Sequence, residues 1–159
     1  MKTTQMILIA VFLTGGGTTI AIGRAAQDKD PHEKTVTLQQ LPAAVQAAVK
    51  EQTKGATVKG FSVETEKGKK LYEAALIVNG HAKDISFDAN GTVVSVEEET
   101  TLDKIPVPAR AALEKAADTG KIALVEIVTE GGKTSYEAQI KNGRKTSEIA
   151  VDATGRKVN

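Results

Sequence analysis

A twenty-residue pattern occurs twice in this chain, and that duplication constrains the fold more than any other feature. The stretch YEAALIVNGHAKDISFDANG at Tyr72–Gly91 returns as YEAQIKNGRKTSEIAVDATG at Tyr136–Gly155, an offset of 64 residues. The match extends upstream at the same offset, where Pro42 aligns with Pro106. Because apolar positions, turns and helix starts all stay in step, the sequence predicts two copies of one structural unit.

Each copy opens with a predicted helix. Pro42 and Pro106 suit the first helical turn, where a proline loses no hydrogen bond. Gly55 and Gly120 are suited to end the two helices. Between these positions apolar residues recur at helical spacing and form a narrow, alanine-rich stripe. Each helix is therefore expected to lie close against a neighbouring element.

The residues after each helix alternate between apolar and polar, which is typical of strands with one buried face. Turn signals separate them at Lys67-Gly68, Asn79-Gly80 and Asn90-Gly91. The second copy reaches Asn159 early, so its last strand is expected to be short. The predicted fold class is α+β, a tandem repeat of a helix packed on a four-stranded antiparallel meander. The pattern leaves open whether the two sheets join or stack.

The N-terminus predicts export. A charged start, a short apolar centre and small residues up to Ala26 are typical of a secretory signal peptide, with cleavage after Gly23, Ala25 or Ala26; an uncleaved anchor is the alternative. The chain has no cysteine, which excludes lipoprotein attachment and disulfides. The predicted organisation is a signal peptide at 1–25, a flexible spacer at 26–34, and repeats at 35–98 and 99–159. The expected location is periplasmic or extracellular, without stable membrane insertion after cleavage.

Composition argues against several classes of ligand. The formal net charge is +1 and aromatic residues make up 3% of the chain, which gives no basis for binding nucleic acid or stacking on bases and sugars. We expect no cofactor.

Three short motifs resemble the PepSY-like family of small exported bacterial proteins. They are Leu41-Pro42 at the helix start, Tyr72-Glu73-Ala74, and the strand end Ile85–Gly91, and the resemblance covers both copies. Proteins of this family have been compared with the beta-lactamase inhibitory protein. The resemblance implies an exported, non-enzymatic module that binds or restrains another protein.

Catalytic and metal motifs are poorly supported. His32 and His81 are the only histidines, and neither is placed beside a nucleophile and an orienting acid. The turns at Asp88–Gly91 and Asp152–Gly155 lack the alternating ligands and distal glutamate of a calcium loop, so we interpret them as structural turns. An enzyme stays a third option if Glu73 and Glu137 converge in one cleft.

The candidate binding residues are those that alternation places on the uncovered side of the sheet. Glu73 and Glu137 are repeated polar residues that the fold alone does not require. The predicted binding face consists of Glu64, Glu73, Asp84, Ser86, Glu137 and Glu148. A solvated polar face without a ligand is the simpler interpretation.

Two functions remain at this point. The first is recognition of an exported protein or peptide by the uncovered sheet faces, with inhibition of a peptidase or another envelope enzyme as one form of it. The alternative is a weak cation-binding or stress-related cell-envelope protein, because carboxylates on that face could gather cations, although the spacing makes no metal cage.

Overall fold

The computed structural model of the chain describes residues 33–66 and 68–158. These residues form eight strands and two α-helices, with short 3-10 helices at Leu38–Gln40 and Leu102–Lys104. The strands are β1 Lys34–Val36, β2 Thr57–Glu66, β3 Lys69–Val78, β4 His81–Phe87, β5 Val93–Glu99, β6 Lys121–Glu130, β7 Lys133–Asn142 and β8 Lys145–Val151. The helices are α1 Ala43–Gln52 and α2 Val107–Ala117.

All eight strands belong to one sheet, in which each strand pairs antiparallel with its neighbours in chain order from β1 to β8. The predicted fold class, a tandem repeat of a helix packed on a four-stranded antiparallel meander, is therefore wrong, because the strands form one eight-stranded meander. The strand that was expected to close the first unit, β5, pairs with β6 from Ser95 opposite Glu130 to Glu99 opposite Glu126. This pairing satisfies backbone groups that two separate sheets would leave exposed at their edges.

The ends of the sheet also differ from the prediction. The short strand β1 pairs with the middle of β2 at one edge. At the other edge, the predicted last strand is reduced to an isolated bridge between Val151 and Lys157.

Both helices begin directly after the proline that the sequence indicated. Pro42 precedes α1 and its carbonyl accepts a hydrogen bond from the Gln46 N–H at 2.9 Å. Pro106 precedes α2 and its carbonyl accepts from the Arg110 N–H at 2.9 Å. A proline at this point starts a helix without sacrificing a donor that the helix needs.

Each helix covers its own hydrophobic core. The core under α1 consists of Leu41, Val45, Val49, Ala74, Leu76, Ile85 and Phe87. The core under α2 consists of Ile105, Ala109, Leu113, Val125, Ala138 and Val151. Val96 packs against the first core and lies opposite Thr129, which is two residues from Ile127 of the second core and therefore on the same side of the sheet. Directly paired residues point to the same side of a sheet, so both helices lie on one face. We call the other side the open face.

The turns that follow β4 and β8 press against the helices. Gly91 has a φ of +78°, and a Cβ atom there would lie 2.6 Å from the Ala44 carbonyl oxygen. Gly155 has a φ of +80°, and a Cβ there would lie 2.5 Å from the Pro108 carbonyl oxygen. Both the backbone conformation and the space therefore require glycine, which fixes each helix over its half of the sheet.

Candidate binding face

The open face carries at least one acidic side chain on every strand from β3 to β8. In each of these strands the acid alternates with residues that contact the helices. The row consists of Glu73, Asp84, Glu97, Glu126, Glu137 and Glu148. Because neighbouring strands lie about 4.8 Å apart, a row across six strands extends over about 24 Å.

The strand register brings members of the row next to one another. Asp84 on β4 lies opposite Glu97 on β5. Glu126 on β6 lies opposite Glu137 on β7. Side chains that face each other across antiparallel strands have Cβ atoms about 5 Å apart, so these carboxyl groups are within direct electrostatic reach.

The row is buried, although carboxyl groups are seldom buried unless they are paired. Asp84 is 2% exposed and Glu97 is 8% exposed. Glu73, Glu126 and Glu137 are also buried, whereas Glu148 is half-buried. Small polar residues lie among the acids, since Ser86 and Ser95 face each other across β4 and β5.

Burial and like charge raise the pKa of several carboxyl groups in the row. Burial raises the pKa of Glu97 to about 9, and the charges of Glu126, Glu137 and Asp84 add to the effect. Burial also raises the pKa of Glu73 well above its usual range, with Asp84 as the largest charge contribution. With a pKa of about 9, Glu97 holds its proton at neutral pH until a positive charge approaches.

Glu137 and Glu148 form a carboxyl pair at the β7–β8 end of the row. Burial raises the pKa of Glu137 to about 8, with further contributions from the charge of Glu148 and from a hydrogen bond to it. Burial raises the pKa of Glu148 as well, whereas the same hydrogen bond lowers it. Glu137 therefore keeps the proton and donates it to the Glu148 carboxylate.

Three acids in the middle of the row form the candidate cation-binding group of the described residues. One carboxylate oxygen from each of Asp84, Glu97 and Glu126 lies within 4.8 Å of the other two. The three belong to β4, β5 and β6, so the group spans the strand pair that joins the two halves of the sheet.

The structure places every residue of the predicted binding face on the open side. Glu64 lies at the margin of the row, where its charge contributes to raising the pKa of Glu73. Ser86 lies opposite Glu73, and the remaining predicted residues belong to the row itself. That this face binds a ligand stays a prediction.

Comparison of the two copies in the sequence missed Glu97, Glu126 and Ser95. At the 64-residue offset Glu126 aligns with Ser62, and Glu97 aligns with no residue up to Asn159. Alternation alone could have found them, since Ser95 and Glu97 flank the core-facing Val96. A search for repeated polar residues therefore overlooks the centre of the face.

The other candidate residues take no part in the row. His81 is exposed at the start of β4, and His32 lies outside the described residues, as does the predicted signal peptide. Asp88 Oδ1 accepts hydrogen bonds from the Asn90 and Thr92 N–H groups at 2.8 and 2.9 Å. This is the hydrogen bonding of a structural turn, as the sequence indicated.

The equivalent turn after β8 repeats this arrangement. Asp152 Oδ1 accepts from the Thr154 and Arg156 N–H groups at 2.8 and 3.1 Å. The Thr154 hydroxyl also donates to Asp152 Oδ1, at 2.5 Å. This hydrogen bond, followed by those from the backbone, lowers the pKa of Asp152 to about 2.

Comparison of the sequence with models of known protein families gives no match, and comparison with curated proteins gives none either. Within the part of the chain that the structure describes, neither helix is long and apolar enough to cross a bilayer.

Solved structures show a similar fold. A Bacteroides eggerthii protein assigned to the periplasm has 20% sequence identity and a TM-score of 0.61, over 75% of this chain and 86% of that one. A DUF2874 family protein from Bacteroides uniformis has 21% identity and a TM-score of 0.60, over 74% and 86%. A BLIP-like protein from Bacteroides fragilis has 23% identity and a TM-score of 0.55, over 75% and 84%. The chain thus shares its fold with BLIP-like and DUF2874 family proteins, and the first assignment agrees with the predicted periplasmic location.

Proposed function

We propose that this chain is an exported, non-enzymatic binding module that receives a positively charged segment of another exported protein or peptide on its open sheet face. The observation that carries this proposal is the row of carboxyl side chains from Glu73 to Glu148, one on every strand from β3 to β8. A basic segment laid across the strands would meet a carboxyl group about every 4.8 Å.

The raised pKa values of the row imply that a bound segment must supply positive charge to ionise the carboxyl groups. At neutral pH the Glu97 carboxyl holds a proton, because its pKa is about 9. An arginine or lysine side chain beside it favours the ionised form, so binding releases protons and forms charge-assisted hydrogen bonds in a site with little access to water. The face is thereby selective for cationic partners. Without such a partner, some of its carboxyl groups stay protonated and uncharged.

The similarity to a BLIP-like protein and the PepSY-like motifs support the finer form of the proposal. In that form the chain is a PepSY-like protein that restrains a peptidase or another envelope enzyme by occupying its surface.

A defined cationic probe tests the proposal. Protein purified from the periplasm of an expression host is titrated into a fluorescent oligoarginine peptide, and binding is followed by anisotropy. Arginine keeps its charge at all accessible pH values, so only the protein titrates. We expect Glu73→Lys plus Glu137→Lys to weaken binding at least tenfold.

The matched control places the same charge change on the helix side. Glu51 and Glu114 are exposed and form surface ion pairs with Lys54 and Arg110. Glu51→Lys plus Glu114→Lys should bind the peptide as the parent protein does, apart from a small general effect of charge. Equal loss of binding in both double variants, with folding verified by circular dichroism, would show that net charge and not the open face attracts the peptide.

The same variants identify a natural partner. We expect the parent chain and the helix-side control to recover the partner from cell-envelope extract, and the open-face variant to fail to recover it. Recovery by all three excludes the face as the binding surface.

A further inference from the structure

The centre of the open face has the geometry of an oxygen-only cation site. Asp84, Glu97 and Glu126 each contribute a carboxylate oxygen, and the three oxygens lie within 4.8 Å of one another. Ca²⁺ binds oxygen at about 2.4 Å, so two ligands on opposite sides of one ion are about 4.8 Å apart. Three oxygens that all lie within this distance of one another can therefore contact a single ion with little movement.

A second observation on the same face points to a ligand. The Ser95 side chain is 3% exposed, and its hydroxyl oxygen has no hydrogen-bond partner. Ser95 precedes Glu97 by two residues on β5, so both side chains point to the open face. A buried hydroxyl without a partner costs about 1–3 kcal/mol, and a polar group in that state in a native protein needs an explanation. A bound ion or its water would supply the missing contact.

A second oxygen without a hydrogen-bond partner lies further along the row. Glu148 Oε2 is buried and makes no hydrogen bond, although Glu148 accepts one from Glu137 through its carboxyl group. Glu148 lies on β8, two strands beyond Glu126 on β6, so this oxygen belongs to the same face but is not a ligand of the central group.

We propose that Asp84, Glu97 and Glu126 bind one divalent cation of the Ca²⁺ class at the centre of the open face, with the Ser95 hydroxyl as the next oxygen ligand, directly or through a water. The donor set decides the class of ion. Carboxylate and hydroxyl oxygens favour hard cations, whereas Zn²⁺ favours nitrogen and sulfur, and the chain has no cysteine. Mg²⁺ demands a near-ideal octahedral shell at about 2.1 Å and keeps several of its waters, so a set of three protein carboxylates suits it less well.

Calorimetric titration with CaCl₂ tests the site on periplasmically purified protein that has been treated with chelator. We expect one ion per chain and an increase in the midpoint of thermal unfolding when Ca²⁺ is present, since an ion that binds only the folded state stabilises it. Mg²⁺ should bind at least tenfold more weakly.

Two variants and one control locate the site. Asp84→Asn and Glu97→Gln should each weaken Ca²⁺ binding at least tenfold, because each removes one of three charged ligands. Glu98→Gln makes the same change at the next residue, which points away from the open face and is ion-paired with Lys83. This control should bind Ca²⁺ as the parent protein does.

The proposal is overturned if the parent protein shows neither heat nor a thermal shift up to 10 mM Ca²⁺, or if Glu97→Gln binds Ca²⁺ unchanged. Equal affinity for Mg²⁺ would overturn the assignment to the larger ion. Because Glu97→Gln keeps the size of the side chain, it tests the site even if Asp84→Asn fails to fold. The inference does not depend on the proposed cationic partner, since no peptide is present in this titration.

Discussion

Glu97 gives the sharpest test of the buried acidic row, because its protonation makes the stability of the fold depend on pH. Its pKa is about 9 in the folded chain, whereas the ordinary value for glutamate is 4.5. Below pH 4.5 the folded and unfolded chains both hold the proton, and burial of the group carries no ionisation cost. Above that pH the unfolded chain loses the proton while the folded chain keeps it, so stability falls as pH rises towards 9.

The size of the effect follows from the two pKa values. In the interval between them, each pH unit lowers the free energy of unfolding by about 1.4 kcal/mol. Between pH 5 and pH 7.5 the contribution of Glu97 therefore costs about 3 kcal/mol. Glutamine has nearly the same shape and does not ionise, so Glu97→Gln should remove this dependence. The free energy of unfolding of the variant minus that of the parent should therefore be about 3 kcal/mol larger at pH 7.5 than at pH 5.

Urea unfolding at pH 5 and pH 7.5, in the presence of chelator, measures the difference. Comparison of the two pH values cancels any constant effect of the amide group. Glu98→Gln is the matched control, because Glu98 is half-exposed on the same strand and pairs with Lys83 Nζ at 2.7 Å. A surface pair of this kind contributes at most about 1 kcal/mol. If Glu97→Gln and Glu98→Gln change stability equally at both pH values, the argument that Glu97 is buried as a neutral acid is wrong.

Three further outcomes follow from the described contacts. Affinity for oligoarginine should rise between pH 6 and pH 9, by up to about tenfold per pH unit for each proton released, as Glu137 and its neighbours ionise; an anisotropy titration that is flat with pH would contradict this. Gly91→Ala should lower the free energy of unfolding by at least about 1 kcal/mol more than Gly80→Ala, because both have positive φ but only the Gly91 site meets backbone atoms; urea unfolding compares them, and equal losses would refute the close contact with α1. Leu113→Ala should cost about 2–5 kcal/mol, since Leu113 is fully buried, whereas Val107→Ala on the same helix should change stability by less than about 0.5 kcal/mol; similar values for both would contradict the core assignment.

The local structure could be predicted from the sequence where a single residue type decides the backbone. Asn79-Gly80 forms the two-residue turn between β3 and β4, with φ of +52° and +86°. Pro42 and Pro106 mark the helix starts, because proline has a fixed φ and no N–H to lose at that point. In the second half the turn is one residue later than the Asn142-Gly143 signal, because Asn142 still pairs with Lys145. Strand pairing therefore overrides the local preference of asparagine when the register demands it.

The arrangement of the sheet could not be predicted in the same way. Whether β5 ends a sheet or continues into β6 depends on the meeting of two strand edges, and backbone groups carry no sequence signal of their partner. The candidate site was predicted in part for a related reason. Alternation placed Glu73, Asp84 and Glu137 on the correct face, but the convergence of Asp84, Glu97 and Glu126 depends on the register between β4, β5 and β6.

The β5–β6 pairing has a mechanical consequence for anything that occupies the open face. The two hydrophobic cores share no residue, so the halves of the molecule are held together at the sheet by this one pair of strands. Asp84 and Glu97 lie in the first half, on β4 and β5, and Glu126 lies in the second half, on β6. A ligand bound by all three would link the two halves across the β5–β6 pairing. Its occupancy would therefore determine how far one half can twist relative to the other.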